Sequence, residues 1–405
     1  MLGGRQRALP SGLPALRGQR QRDLSLWNPF RRLRAGRGFF HCAVKKQAET
    51  IVLCFGVGYN GRKKNFCWIF HPVAMEGRVD MAVKDGVLRA LEQRRGEIVS
   101  GGGLSAALGV SRTAVWKAVT ALREDGMLID SVPGGGYRLR EGDDSLTADG
   151  VRALLHTRLL GCEVLVLPEV SSTNTVMKRE YAAGKPEGFA LLALRQNGGR
   201  GRLGRSFASP DGGMYLTVLL RPAIELKNLH FLTIAAAVAV CRAIEDTCGF
   251  RPGVKWVNDV LMGGKKLCGI LTEASIVGET GALDYVIVGI GINLRFDPES
   301  APELAGIVGG LADFCGNPPR RAALTASVLG RLEEQYFLIQ EGKLGEVAAA
   351  YRELLCCLDQ PVTVIENGRE TPAHCNGVSD EGHLMVTMAD GTRRELQSGE
   401  ISIRV

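Results

Sequence analysis

No stretch of the 405 residues comes near the roughly eighteen consecutive apolar residues that a membrane-spanning helix requires, so such a helix is excluded and a soluble, cytoplasmic protein is expected. The 11 cysteines contain no Cys-x-x-Cys pair, and their spacing builds no zinc site. Their number is odd, they scatter from Cys42 to Cys375, and the adjacent Cys356 and Cys357 are poorly placed for a simple bridge. Reduced, mostly buried thiols fit better than a disulfide framework. A large charge excess is missing too: the net +7 permits an anionic partner without demanding one. At 45% hydrophobic and 23% charged residues the composition is not that of a disordered chain, and the length calls for two or three domains.

Acids are nearly absent from the first stretch, where Asp23 stands among Arg5, Arg7, Arg17, Arg20, Arg22, Arg31, Arg32, Arg34 and Arg37. An apolar patch from Ile51 to Val57 follows without a sustained period. Residues 1–80 read as a basic extension, disordered or lying upstream of the true start. A targeting peptide and a nucleic-acid-binding arm compete with a start near Met75 or Met81. The late start is favoured, because a helical pattern opens at Met81 with no lead-in.

From Met81 to about 142 the pattern is that of a winged helix-turn-helix. Val83, Val87, Leu88 and Leu91 follow helical spacing. A glycine cluster at 101–103 precedes a short helix, Gly109 breaks it, and Ser111 is placed to cap the next. In that next helix Val115, Ala118, Val119 and Leu122 form an inward stripe. Thr113, Trp116, Lys117 and Thr120 form another, with Arg112 at the N-terminus. One stripe packs a trihelical core while the other is free to enter a major groove, so Ser111, Arg112, Thr113, Trp116 and Lys117 are candidate DNA-binding residues. An ordinary helical subdomain with a polar face remains the plain alternative. Residues 128–132, a turn at Gly134-Gly135-Gly136 and residues 137–139 read as the wing.

A polar linker, Glu141 to Asp144, opens a mixed α/β stretch to about 358, with strands expected at 164–167, 190–193, 214–220 and 286–289 and a buried helix at 229–246. Its densest chemistry is the run from Gln196 to Arg205. Glycines let backbone approach a ligand and form an anion-binding nest, and Arg200, Arg202 and Arg205 can neutralise phosphate and carboxylate together. The run is neither a Walker loop nor a dinucleotide fingerprint. A flexible basic linker is the bland reading, but the run lies between two expected strands. Lys255-Trp256-Val257-Asn258-Asp259 and Lys265 to Leu271 read as strand, hairpin, strand. Val170 to Thr175 could simply cap a helix.

Together these segments resemble the biotin–protein ligase family: Ser172-Thr173-Asn174, Gly199-Arg200-Gly201-Arg202-x-Gly204-Arg205, Lys255-Trp256-x-Asn258-Asp259, Lys266-x-x-Gly269-Ile270-Leu271 and Gly289-x-Gly291-x-Asn293. With the winged helix they resemble its bifunctional ligase–repressor branch over about 81–405. The resemblance implies that Ser172, Thr173, Asn174, Gln196, Gly199, Arg200, Gly201, Arg202, Lys266 and Gly269 contact biotin. It puts Arg202, Arg205, Phe207, Asn258 and Asn293 on the nucleotide side. Arg200, Arg202, Lys266 and Asp259 would be catalytic, and the magnesium would come with ATP rather than from a protein metal site. Two positions depart from the family: Phe207 stands where tryptophan is usual, and Val257 where proline is usual.

Joining a carboxylate to the α-phosphate of ATP brings two anions together, so the protein supplies positive charge and positioning rather than a nucleophile. Biotinyl-5′-AMP would form, and a lysine of a biotin carboxyl carrier domain would attack it. The resemblance further implies operator DNA and a homodimer, with no membrane partner. The alternatives are a regulator that senses biotin or its adenylate without efficient ligation, and a lipoate or octanoyl ligase, which the glycine–arginine run disfavours. From Gln360 onward, strands at 362–365, 384–387 and 400–403 with Asn367-Gly368 and Asp390-Gly391 turns suggest a small SH3-like barrel at 359–405. The expected organisation is thus an extension (1–80), a winged helix (81–142), a mixed α/β catalytic domain (143–358) and the barrel.

Overall fold

The computed structural model describes residues 82–405 except 280, 300, 367, 398 and 403–405; between 33 and 81 it describes the backbone of four strands and the start of one helix. The chain divides into two compact units, Met1–Met81 and Ala82–Val405. In the first, β1 (Leu33–Ala35), β2 (Gly38–Gln47), β3 (Thr50–Tyr59) and β4 (Arg62–Phe70) form an antiparallel meander, where the sequence offered no period. The apolar patch at 51–57 is part of β3. Residues 1–32, which carry most of the arginines, lie outside the described residues.

Helix α1 (Val73–Gln93) begins ahead of Met81, where its apolar period starts. With α2 (Gly101–Leu108), α3 (Arg112–Glu124) and the hairpin β5 (Ile129–Val132) and β6 (Gly136–Leu139), its later turns build the N-terminal head. Ser111 caps α3 as the sequence implies, whereas α2 starts earlier than expected: the glycines 101–103 form its first turn and Ser100 caps it. Ser100 Oγ accepts from Gly103 N and Ser111 Oγ from Ala114 N, while Gly109 takes the left-handed conformation (φ 65°) that ends α2. Val87, Leu88, Leu91, Leu104, Val115, Val119, Leu122 and Leu139 close a core of their own. At the wing, Gly136 has φ +133°, and a Cβ there would lie 2.2 Å from the Val99 carbonyl oxygen. Only glycine lets β6 pair back onto Val99.

The central domain contains α4 (Ala148–Leu154), β7 (Val164–Val170), α5 (Thr173–Ala182), β8 (Ala190–Gln196), β9 (Met214–Leu220), α6 (His230–Cys248), β10 (Gly253–Lys255), β11 (Asp259–Met262), β12 (Lys265–Ile276) and β13 (Leu283–Ile292). The helices α7 (Ala312–Cys315), α8 (Arg321–Gln340) and α9 (Leu344–Arg352) complete it. Its seven-stranded sheet has the order β10-β11-β12-β13-β9-β8-β7, and only β7 and β8 run parallel. Alternation along the strands sorts the two faces. Leu216, Val218, Leu220, Val286, Val288 and Ile290 enter the large core with α6 and α8, while Leu219 and Ile287 pack with Met177 of α5 on the other side. The sequence reading anticipated α6 but not α8 or α9.

The C-terminal strands β14 (Pro361–Glu366), β15 (Arg369–Val378), β16 (Leu384–Met388), β17 (Arg393–Leu396) and β18 (Glu400–Ser402) form a five-stranded sheet of order β17-β16-β15-β14-β18. Its end strands β17 and β18 do not pair among the described residues, so the sheet is open and the closed barrel expected at 359–405 is not confirmed. The last strand is three residues long and reaches only Thr363 to Ile365 of β14. Nor is the sheet energetically separate: Val362, Val364, Leu384 and Ile401 belong to the same apolar core as α6 and β9. Asn367, of the expected Asn-Gly turn, lies outside the described residues.

Candidate functional site

The site forms where several elements end together. The antiparallel register sets Gly269 of β12 opposite Gly291 of β13, and Gly291 opposite Tyr215 of β9. The same edge receives the end of β8 at Gln196, the start of α5 and the β10–β11 hairpin. One cleft there is lined by Ser172, Thr173, Asn174, Gln196, Arg200, Gly201, Arg202, Arg205, Phe207, Asn258, Asp259, Lys266 and Gly269. These residues come from segments up to a hundred positions apart, and nearly every expected site residue is among them.

At one end the groups are neutral. Gln196 Oε1 accepts from both the backbone N–H (2.8 Å) and the hydroxyl (3.1 Å) of Thr173, and its Nε2 donates to Ser209 Oγ at 2.8 Å. Ser172 sits at the N-cap position of α5 but makes no side-chain capping bond, so capping does not explain its hydroxyl. Asn174 is 4% exposed and fully engaged. Its Oδ1 accepts from Thr217 Oγ1 at 2.8 Å, and its Nδ2 donates to Glu273 Oε2 at 2.8 Å and the Leu271 carbonyl at 3.3 Å. Lys178 Nζ lies 2.6 Å from the other Glu273 oxygen. Burial would raise the Glu273 pKa, but Lys178 and Asn174 outweigh it and hold the carboxyl below its ordinary value. Glu273 was not visible as a site residue in the sequence; two-residue alternation along β12 from Leu271 is the signal that could have found it.

At the other end the cleft is charged. Lys266 Nζ lies 2.6 Å from Asp259 Oδ1 and Lys255 Nζ 3.3 Å from Asp259 Oδ2. The buried Oδ1 has no aligned hydrogen-bond donor, so the Lys266 contact is an ion pair rather than a directed hydrogen bond. Lys255 was not named as a site residue by the sequence reading, although it is Asp259's cross-strand partner in the hairpin. Arg202 donates to Asn258 Oδ1 at 3.2 Å and to the Gly399 carbonyl at 3.1 Å, tying the glycine–arginine loop to the C-terminal sheet. Asn258 Nδ2 in turn donates to the Ile270 carbonyl at 3.0 Å. The loop is held by Gly201 N to Arg205 O (2.7 Å) and Phe207 N to Gly199 O (2.9 Å), with Leu203 exposed at its tip in a left-handed turn (φ 56°).

The Phe207 ring lies on a shelf of two glycines: a Cβ on Gly291 would be 2.5 Å from the ring and one on Gly269 2.8 Å. Lys266 Nζ stands 5.9 Å from the ring centroid. Gly199 and Asn293 do not line the cleft. A side chain on Gly199 would strike the Phe207 carbonyl oxygen at 2.3 Å, so this glycine shapes the loop from behind. Asn293 is 8% exposed, and its Nδ2 reaches the Lys266 carbonyl at 3.5 Å. Among the described residues no group of three His, Cys, Asp or Glu could hold a metal ion.

On the head, Ser111, Arg112, Thr113, Trp116 and Lys117 are all exposed along one side of α3. Ser111 is already used as the helix cap.

The Biotin/lipoate A/B protein ligase family model matches residues 166–293, and an HTH domain model matches residues 86–138. The Bifunctional ligase/repressor BirA of Bacillus subtilis is 36% identical over 256 residues, covering 63% of this chain and 78% of the relative. Its namesake from Escherichia coli is 30% identical over 312 residues, covering 76% and 94%. Among solved structures, the biotin protein ligase from Aquifex aeolicus in complex with biotin and ATP aligns with TM-score 0.52 at 31% identity, over 60% of this chain and 99% of that one.

Proposed function

Because this chain belongs to the biotin/lipoate A/B protein ligase family, and with its head to the bifunctional ligase/repressors of that family, we propose that it joins biotin to ATP, transfers the biotin to a carrier-domain lysine, and represses transcription through the head. The observation that carries the enzymatic half is the polarity of the cleft, lined by the neutral Ser172, Thr173, Asn174 and Gln196 at one end and by the Lys266–Asp259–Lys255 cluster with Arg202 at the other. A biotin molecule has the same polarity: an uncharged ureido ring and a carboxylate tail.

In this reading Ser172, Thr173 and Gln196 meet the ureido ring. Asn174 holds the floor beneath them, bound to Thr217 and Glu273, rather than touching ligand. Arg200, Arg202 and Lys266 draw the biotin carboxylate and the α-phosphate together and offset the repulsion between them, with Gly201 and Gly269 giving backbone access. Asn258 positions Arg202, Arg205 and Phe207 take the nucleotide, and Asn293 and Gly199 support Lys266 and the loop from behind. Asp259, already between two lysines, orients Lys266 and is placed to accept the proton of the incoming acceptor lysine. A metal fits only as a companion of ATP: one carboxylate engaged by two lysines is a poor protein site, and magnesium commonly binds through phosphates and water. Bound there, it neutralises phosphate charge.

The acceptor is a biotin carboxyl carrier domain, the open C-terminal sheet is an SH3-like module that anchors Arg202, and the protein works in the cytoplasm as a homodimer on operator DNA. A regulator-only reading finds no observation in its favour, because Arg200, Arg202, Asp259 and Lys266 all line one cleft. The test is incubation of the full chain with biotin, ATP, magnesium and a carrier domain. Biotin on the carrier's acceptor lysine is expected, and it should be lost when that lysine is replaced by arginine. A folded enzyme that leaves the carrier unmodified overturns the transfer reading. A monomeric mass in solution, with and without biotin and ATP, overturns the homodimer.

A further inference from the structure

The head's helix α3 buries Val115, Ala118, Val119 and Leu122. On its outer side Trp116 is 56% exposed. A tryptophan there leaves a large apolar ring in water, and its indole N–H, which can only donate, has no acceptor among the described residues. Nothing in the described chain covers it. The neighbouring charges are distributed unevenly. Arg123 is spent on the Ile129 carbonyl (2.8 Å) and Ser131 Oγ (2.9 Å). Both wing arginines, Arg138 and Arg140, are paired with Asp130 at 3.2 and 2.9 Å. Arg112 and Lys117, which flank the tryptophan, make no ion pair among the described residues. Gly102 leaves room for Arg112: a Cβ there would lie 3.2 Å from the guanidinium.

A basic patch would grip any duplex. This face has little charge and one large ring. Resting on the DNA-binding reading above, we propose that Trp116 is the base-reading residue of the head, packing its ring on thymine C5-methyl groups in the major groove while Arg112 and Lys117 hold the adjoining phosphates. The methyl is the one apolar group on a base edge in that groove, and an exposed indole on a groove-sized helix matches it. The N–H finds its acceptor on a neighbouring base edge, such as O4 of thymine or N7 of a purine. With Arg112 and Lys117 as the two phosphate contacts of each head, the salt dependence should be shallow, with a log–log slope of about −2 per head bound.

The test uses duplexes selected by the full chain from a random pool, in the presence of biotin and ATP. Each thymine of the selected duplex is then replaced by deoxyuridine, which removes only the methyl. At one or two positions per half-site the replacement should weaken binding by the native chain about tenfold, the scale of one lost base contact. Trp116→Ala should bind the selected duplex about tenfold more weakly and no longer distinguish thymine from uracil there. Trp116→Phe should keep part of the discrimination, and Lys117→Ala should flatten the salt slope by about one unit while leaving it intact. Thermal midpoints of the variants establish that the head still folds. Selected duplexes on which Trp116→Ala discriminates as the native chain does overturn the proposal and leave DNA binding standing. Failure to select any duplex overturns both.

Discussion

Lys266 and Asp259 are the residues on which the chemistry turns. Their 2.6 Å contact holds an ammonium at the charged end of the cleft, where the two anions must meet. Replacing Lys266 by alanine is expected to lower the rate of adenylate formation about 10²- to 10³-fold, the usual cost of one preorganised charge, with a smaller change in KM for biotin. Single-turnover formation of the adenylate measures it. Asn174→Ala should act differently. It leaves Thr217 and Glu273 without their buried partner, so a loss of about 1–3 kcal/mol of stability is expected, with a raised KM for biotin. Glu273 adds a pH dependence. Its pKa is lowered in the folded state, so its contribution is present above the unfolded value of about 4.3 and lost as pH falls through the folded value. The denaturation midpoint should be insensitive to Glu273→Gln in strong acid and sensitive at neutral pH. Motif residues could be read from the sequence because their type reveals their chemistry. Their partners could not, because Thr173 to Gln196 and Asn174 to Glu273 are contacts made by the sheet, not by spacing. For the same reason Asn293, expected on the ligand side, sits behind Lys266.

Among the elements, β12 and β13 meet at a bare patch where Gly269 faces Gly291. The aromatic ring of Phe207 needs that flatness. Gly291→Ala puts a methyl where the ring lies, and should raise KM for ATP about tenfold, an overpacking cost of about 1–2 kcal/mol, while KM for biotin changes less. Steady-state kinetics with each substrate varied in turn separates the two. Helix α6 and strands β8, β9 and β13 could be read from sequence because they contain nearly continuous, buried apolar runs. Helix α8 was missed, although Leu324, Val328, Leu332 and Tyr336 lie on it, because alanines and buried polar residues such as Thr325, Glu333 and Gln335 dilute its stripe. Glu333 is buried for a reason that its own segment does not disclose: its carboxylate accepts from the backbone N–H groups of Arg158, Leu159 and Leu160 at 2.7–2.9 Å. The C-terminal hairpins carry their turn residues openly, yet whether five short strands close into a barrel depends on end-strand geometry that turn chemistry does not encode.

For residues 82–405 as a whole, the head is clamped to the central domain by charge. Lys84 of α1 pairs with Asp149 of α4 as well as with Asp125 inside the head, Arg320 pairs with Glu92 at 3.0 Å, and Arg321 holds the linker between the two at Asp144 (2.9 Å). Burial alone would lower the Lys84 pKa, but the two aspartates raise it. Burial would likewise raise Asp149, whereas Lys84 and Arg152 lower it. A raised lysine contributes below its unfolded pKa and a lowered aspartate above its own, so this clamp holds across the neutral range. Lys84→Ala is expected to cost about 1–3 kcal/mol and to separate the unfolding of the head from that of the rest in calorimetry near pH 7. At the cleft itself, the lining residues activate biotin with ATP. Exchange of labelled pyrophosphate into ATP by the full chain with magnesium measures that activation most directly. Exchange should require biotin, not be supported by lipoate, and fall with Lys266→Ala. Folded protein that exchanges with lipoate and not biotin, or that gives no exchange with either, would contradict it.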